Sequence, residues 1–246
     1  ELAGRAGKQP DGSAKTREGK LCTVWTAEGR DDEGIPVRDP GSVSYSAAIE
    51  SAASRDTDAA PSEFAQRADR EARRRGFDQA EGRVVLGDGA PWIWNLADEQ
   101  FPGAIQIVDL FHAKQHLSDV AKAIYGPGSD LGRPWAKQRH DELDEGKQDA
   151  VLQALRVHAE ANDEARKCLD YVTRNQLRMR YPEFRAQGLC VSSGVVEAGC
   201  KVVIGTRLKR AGMHWTVSGA DAIIALRCCQ LSGRFEDFWE RRSAAA

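Results

Sequence analysis

The sequence predicts an α/β fold in which short strands alternate with helices and a long all-helical insertion interrupts the core. Two observations predict it. Short apolar, β-prone runs at 20–27 (KLCTVWTA), 83–86 (RVVL) and 104–110 (AIQIVDL) are separated by helix-prone stretches. From about 112 to 188 no such run occurs and the composition is helical throughout. The implied parts are a first core segment at 1–111, a helical insertion at 112–190 and returning core helices at 191–246.

The elements follow in order. The run at 20–27 ends at Glu28-Gly29 and an acidic turn, so it reads as a strand and loop, with a second strand around 35–38. The stretches 44–54 and 62–75 are rich in Ala, Glu and Arg and predict helices. Ser62 stands where an N-cap belongs, and Gly76 follows the basic end of the second. The β-branched run at 83–86 leads into Gly87-Asp88-Gly89-Ala90-Pro91, which places Asp88 at the carboxyl end of a strand. A helix over 92–100 and a break at Phe101-Pro102-Gly103 precede the strand at 104–110, with Asp109 near its end. Strand, helix, strand at this spacing is a parallel β-α-β unit, and such sheets gather their chemistry at strand carboxyl ends. The insertion opens with a helix at 113–125, breaks at 126–132, and continues with Val151, Leu152, Leu155 and Ala159 on one stripe. The final third is helix-prone again, including the apolar run 222–226.

Composition excludes several classes. The 246 residues, 41% hydrophobic and 29% charged, describe a globular protein and not a fibre or a disordered tail. A formal net charge of -2 means that any nucleic-acid surface must be a local patch. No apolar run approaches the roughly 20 residues that span a bilayer, and no signal-peptide pattern opens the sequence, so a protein neither secreted nor membrane-bound is expected. Cys22, Cys168, Cys190, Cys200, Cys228 and Cys229 are scattered without CxxC pairs, which suits a reducing compartment and buried thiols. The first residue is Glu1 in a polar, Gly-rich stretch, so the sequence is expected to begin partway into a longer protein.

Three constellations could carry chemistry. Asp88 is flanked by small residues that let other groups approach its carboxylate, as a metal or phosphate site needs; a tight turn after a strand uses the same residues. Asp109, His112 and His116 could converge on a metal ion, or the His could hydrogen-bond a carboxylate and fix its orientation, or the two His at i and i+4 could simply line a solvated helix face. In the stretch 192–201 (SSGVVEAGCK), Ser193 would cap a helix with Glu197 in its early turns. There the helix dipole favours a carboxylate whatever its function, and Lys201 could pair with it. The same Glu197 could instead face a catalytic sheet. Between Gly199 and Trp215 lie four cations, Lys201, Arg207, Lys209 and Arg210, and no acid. They form a solvated face or a phosphate-binding patch.

The phrases at 4–21 (GRAGKQPDGSAKTREGKL), 86–117 (LGDGAPWIWNLADEQFPGAIQIVDLFHAKQHL) and 192–215 (SSGVVEAGCKVVIGTRLKRAGMHW) together resemble bacterial insertion-sequence transposases of the ISKra group, relatives of the Mutator-like transposases. The resemblance covers most of the sequence and ends near Trp239. It implies an RNase H-like mixed sheet flanked by helices and an Asp-Asp-Glu triad whose last two acids are separated by the helical insertion. Asp88 matches the second acid and Glu197 the third. Asp109 and His112 match a Cys/Asp-x-x-His signature with a supporting role. The implied cofactor is Mg²⁺ or Mn²⁺, two ions in the intact enzyme, held in part by Asp88 and Glu197. The implied partners are insertion-sequence ends and target DNA, bound by a homo-oligomer in the bacterial cytoplasm, with Lys201, Arg207, Lys209 and Arg210 on the phosphates.

One departure matters. The group's first acid lies in an Asp-Gly-Thr-Gly-like segment upstream of Gly4, so the first catalytic aspartate is expected to be missing here, and Asp11 is a poor replacement. An inactive fragment is the expectation. The rival readings are a non-catalytic DNA-binding remnant and, more remotely, a zinc site built from Asp109, His112 and His116.

Overall fold

The computed structural model describes residues 2–8, 14–17, 19–50, 62–192, 194–210 and 215–244. It is a mixed α/β protein whose described strands form three two-stranded sheets. Strands β1 (Leu2–Lys8) and β2 (Ala14–Arg17) pair antiparallel. Strand β3 (Lys20–Val24) pairs antiparallel with β4 (Ser44–Ala48), Lys20 opposite Ala48 and Val24 opposite Ser44.

The β4 segment overturns the helix expected over 44–54, of which 51–54 lie outside the described residues. Alanine's helix propensity is a weak prior, and pairing with β3 outweighs it. Small side chains also let a helix lie close over the strand: Ser44, Tyr45, Ala47 and Ala48 are all buried. The outer edge of β4 is not left open, because Tyr45 N donates to Ser232 Oγ (2.9 Å) and Ile49 N to Asp221 Oδ1 (2.7 Å). The strand expected at 35–38 is likewise a loop with one bridge, Arg30 to Pro36. Two aspartates shape that loop. Asp31 Oδ1 accepts from Glu33 N and Ile35 N, and the Asp39 carboxylate accepts from Glu28 N and Gly29 N.

Helix α1 (Glu63–Arg74) starts where expected, with Ser62 Oγ accepting from Ala65 N at 3.1 Å. It buries Phe64, Ala65, Ala68 and Ala72, and with them the carboxylate of Glu71. Strand β5 (Val84–Gly87), helix α2 (Pro91–Gln100) and strand β6 (Ile105–Val108) form the parallel β-α-β unit, in register from Val84 opposite Ile105 to Gly87 opposite Val108. Helices α3 (Leu110–Tyr125), α4 (Gly132–Asp144), α5 (Gln148–Ala159), α6 (Asp163–Asn175) and α7 (Tyr181–Ala186) follow without a strand. Their apolar faces, including Leu117, Leu143, Val151, Leu155 and Val172, close over Ile107 and Val108 in the largest core.

Helix α8 (Val195–Gly199) runs through a π-helical segment at Cys200–Gly205 into the short α9 (Thr206–Leu208). Ser193, the expected cap, lies outside the described residues, and Gly194 stands at the N-cap position. A π segment leaves backbone carbonyls without their usual α-helical partners. Arg227 of α10 (Val217–Leu231) meets two of them, its Nε donating to Val202 O (2.8 Å) and Val203 O (3.2 Å). Helix α11 (Phe235–Ala244) is the last described element. A second core, built on Tyr45, Val203, Ile204, Leu208 and Ile224, joins β4 to these C-terminal helices. No described helix is long and apolar enough to cross a membrane.

The six thiols are free, but they are not uniformly buried as expected: Cys168 and Cys228 are, whereas Cys200 is exposed. Burial pushes the Cys168 thiol up to about 12 and that of Cys228 up to about 11, so both stay protonated and inert.

Candidate active site at the β5–β6 strand ends

Asp88 follows the last residue of β5 and Asp109 the last residue of β6. Gly87 and Val108 are register partners, and Asp109 N donates to Gly87 O at 2.7 Å. The parallel pairing therefore sets two carboxylates on neighbouring strand ends. The two are used differently. Asp109 Oδ1 accepts from Phe111 N (2.9 Å) and His112 N (3.1 Å), so its carboxylate is the N-cap of α3. This capping role is natural at a strand-to-helix junction. Asp88 is exposed, and among the described residues its Oδ1 accepts only the local Ala90 N, at 2.9 Å.

The loop carrying Asp88 is clamped by a helix of the insertion. Tyr171 of α6 donates its hydroxyl to Asp88 O at 2.8 Å. One turn on, the buried Asn175 donates to Gly89 O (3.4 Å) and accepts from Trp94 Nε1 (3.0 Å), joining loop, α2 and α6. Gly89 has φ +95 and packs against Tyr171 so closely that an added Cβ would lie 2.9 Å from Oη and nearer still to the ring. Only glycine meets both conditions. Sequence reasoning did not find Tyr171 or Asn175. The available signal was an aromatic and an amide four apart on an otherwise charged helix, a pair that could be buried only with polar partners.

His112 and His116 of α3 stand beside this loop. Their rings are edge to face at 4.7 Å, and His116 also lies 4.4 Å from the Tyr171 ring. Among the described residues no three His, Cys, Asp or Glu side chains, Asp109, His112 and His116 included, are gathered as a metal-binding group. Burial, reinforced by the neighbouring His112, holds the His116 imidazole below the ordinary histidine value, and the carboxylates of Asp119, Asp88 and Glu164 only partly offset this. Between the ordinary value of about 6.5 and the lower folded value, the unfolded chain binds a proton that the folded chain does not. His116 is therefore expected to cost stability as pH falls below about 6.5. An NMR titration of the His116 ring should show a midpoint below that value, and a midpoint at or above it would contradict the packing described.

Glu197 is carried elsewhere. It lies exposed in the first turn of α8, a helix seated on β3 and β4 through Gly199, whose added Cβ would lie 2.8 Å from Leu21 and 3.0 Å from Tyr45. The chain reaches that helix past the β6 end, where Leu110 N donates to Val191 O at 3.0 Å. The expected pairing of Glu197 with Lys201 does not form among the described residues. Lys201, Arg207, Lys209 and Arg210 are all exposed, and none has an ion-pair partner among the described residues. Asp11, considered as a substitute acid, lies outside them.

The structure thus brings Asp88, Asp109, His112 and His116 to one edge and sets Glu197 on α8, with Lys201 and Arg207 along the helical run that follows it and Lys209 and Arg210 just past its end. Carboxylate oxygens are the right donors for Mg²⁺ or Mn²⁺. In kind Asp88 and Glu197 fit such ions; in number the described residues supply no three-ligand cluster. Comparison with family models, with curated proteins and with solved structures finds no match for this chain.

Proposed function

We propose that this chain is the catalytic region of a DDE-type DNA transposase with an RNase H-like core. Asp88 and Glu197 are its second and third acids, Asp109 and His112 support them, and Lys201, Arg207, Lys209 and Arg210 contact DNA. The observation that carries the reading is the Asp88 loop. An exposed carboxylate at a parallel strand end, with one oxygen committed only locally, is held by backbone-directed hydrogen bonds from Tyr171 and Asn175 that leave its side chain open to solvent. Rigid support with an open face is what a ligating or catalytic group requires.

Divalent ions held by Asp88 and Glu197 would activate water and stabilise the leaving oxygen in phosphodiester cleavage and strand transfer. The protein's own contribution is to fix the Asp88 carboxylate, to orient α3 through the Asp109 cap, and to draw the DNA backbone onto the cations. With no three-ligand cluster among the described residues, this chain is expected to bind metal weakly and to cleave little. A second reading, a non-catalytic DNA-binding remnant, is favoured by four exposed cations that have no ion-pair partner among the described residues.

A supercoiled-plasmid nicking assay with Mn²⁺ separates them. The chain as given should nick little; a version carrying the upstream acid that the resemblance implies should nick well and lose activity in Asp88→Ala and in Glu197→Ala. Salt-dependent DNA binding with no nicking in either version would favour the remnant. Nicking indifferent to both substitutions would end the nuclease reading.

A further inference from the structure

Beside the cationic run lies an apolar cavity that the carboxylate site does not use. Its volume is about 270 Å³, and it is lined by Arg207, Trp215, Ile223, Leu226, Arg227 and Phe235. That is just under the roughly 300–1,000 Å³ of pockets for drug-sized ligands, so it suits a single flat ring system. Two walls are aromatic: Trp215 is half-buried, and Phe235 is 36% exposed. Two cations flank them in different states. Arg227 is tied to the carbonyls of Val202 and Val203 and forms fixed wall, whereas Arg207 is exposed and leads on to Lys209 and Arg210. The Trp215 Nε1 donor is buried with no hydrogen-bond partner among the described residues.

We propose that this cavity takes one unstacked base of single-stranded DNA while the attached sugar-phosphate backbone runs over Arg207, Lys209 and Arg210. The proposal rests on the DNA reading above and adds to it the form of DNA that is bound. Charge complementarity chooses the occupant. A nucleotide joins a flat, stackable ring to an anion within one residue's reach, and the site joins an aromatic slot to an exposed cationic rim. Duplex DNA keeps its bases stacked and can use only the rim. Glu236 and Asp237 follow Phe235 on α11, so the backbone leaves on the Arg207 side.

The test uses the full chain, a labelled oligothymidylate, a blunt duplex of equal length, and a single strand containing 2-aminopurine. Phe235→Ala is chosen because Phe235 is partly exposed, and Trp215→Phe because it keeps a ring in place; circular dichroism checks both folds. Stacking of one base predicts that Phe235→Ala weakens single-strand binding about 5- to 150-fold and leaves duplex binding within about twofold. The 2-aminopurine emission should be quenched by the unmodified chain and restored in Phe235→Ala. Lys209→Gln should weaken single strand and duplex alike and lower the salt slope by about 1.

Salt-dependent binding that is equal for single strand and duplex, indifferent to Phe235→Ala and without quenching, would overturn the cavity proposal and leave the DNA reading standing. Quenching that persists in both Phe235→Ala and Trp215→Phe would place the stacked base elsewhere and overturn it too. If neither DNA is bound in a salt-dependent way, the DNA reading itself fails and takes the proposal with it.

Discussion

Replacing Gly89 by Ala is expected to destabilise the protein by about 2–6 kcal/mol, the sum of a left-handed backbone strain of roughly 1–3 and an overpacking cost of about the same size. The two terms have separate origins. Positive φ opposes any side chain at this position, and Tyr171 occupies the space that a methyl group would need. Relief requires Tyr171 to withdraw, which breaks its hydrogen bond to Asp88 O and unpins the loop. For a chain of this size a loss of about 3 kcal/mol lowers Tm by roughly 6–12 °C, readable by thermal or urea denaturation. Tyr171→Phe keeps the ring and should cost only about 1 kcal/mol, the worth of the hydrogen bond. In Gly89→Ala combined with Tyr171→Ala the steric part should vanish and the backbone part remain, so the two changes must be non-additive. Gly89→Ala as stable as the unmodified chain would show that the loop is not held as described.

Arg234→Ala is expected to cost about 3 kcal/mol by a different route. Glu71, 1% exposed, is held between Arg74 (2.6 Å) and Arg234 (2.7 Å). The Arg74 side chain is 53% exposed and well solvated, so Arg234 carries most of the compensation for the buried charge. Removing one partner of a buried pair costs about 3–5 kcal/mol because a charge is left in low dielectric. The remaining Arg74 keeps the expected value at the low end. Replacing both partners, Glu71→Leu with Arg234→Met, should recover most of the loss, since apolar groups of similar volume often replace a buried ion pair at little cost. Arg234→Ala without measurable effect on the urea midpoint would show that Arg74 alone suffices. The pair joins α1 to the turn after α10, so its loss should also loosen β4, whose Tyr45 carbonyl accepts from Arg234 at 3.4 Å.

Sequence legibility followed the range of the forces involved. Ser62 as a cap, the break around Gly76, the strand before Asp88 and the apolar stripe of Val151, Leu152 and Leu155 are local, short-period signals, and the structure has each of them. The segment 44–48 misled because its local preference and its tertiary environment disagree: alanines favour a helix, but β3 alongside and α10 across the outer edge make it a strand. Asp109 was legible as a strand-end acid but not as a cap, since nothing in AIQIVDL says where the helix starts. Tyr171 meets Asp88 across 83 residues and Arg227 meets Val202 across 25, and no periodicity encodes such pairings. Glu197 was legible as a helical acid; the sheet on which its helix rests was not.

The π-helical stretch at Cys200–Gly205 works as an indexing device. One surplus residue in a helix advances everything after it by about 100° around the axis. The azimuth between Glu197, before the surplus, and Arg207, after it, is thus set by the π segment and latched by Arg227, and Lys209 and Arg210 leave the helix end from there. A one-residue deletion there would leave every side chain chemically intact and swing the cationic face a quarter-turn out of phase with the acid.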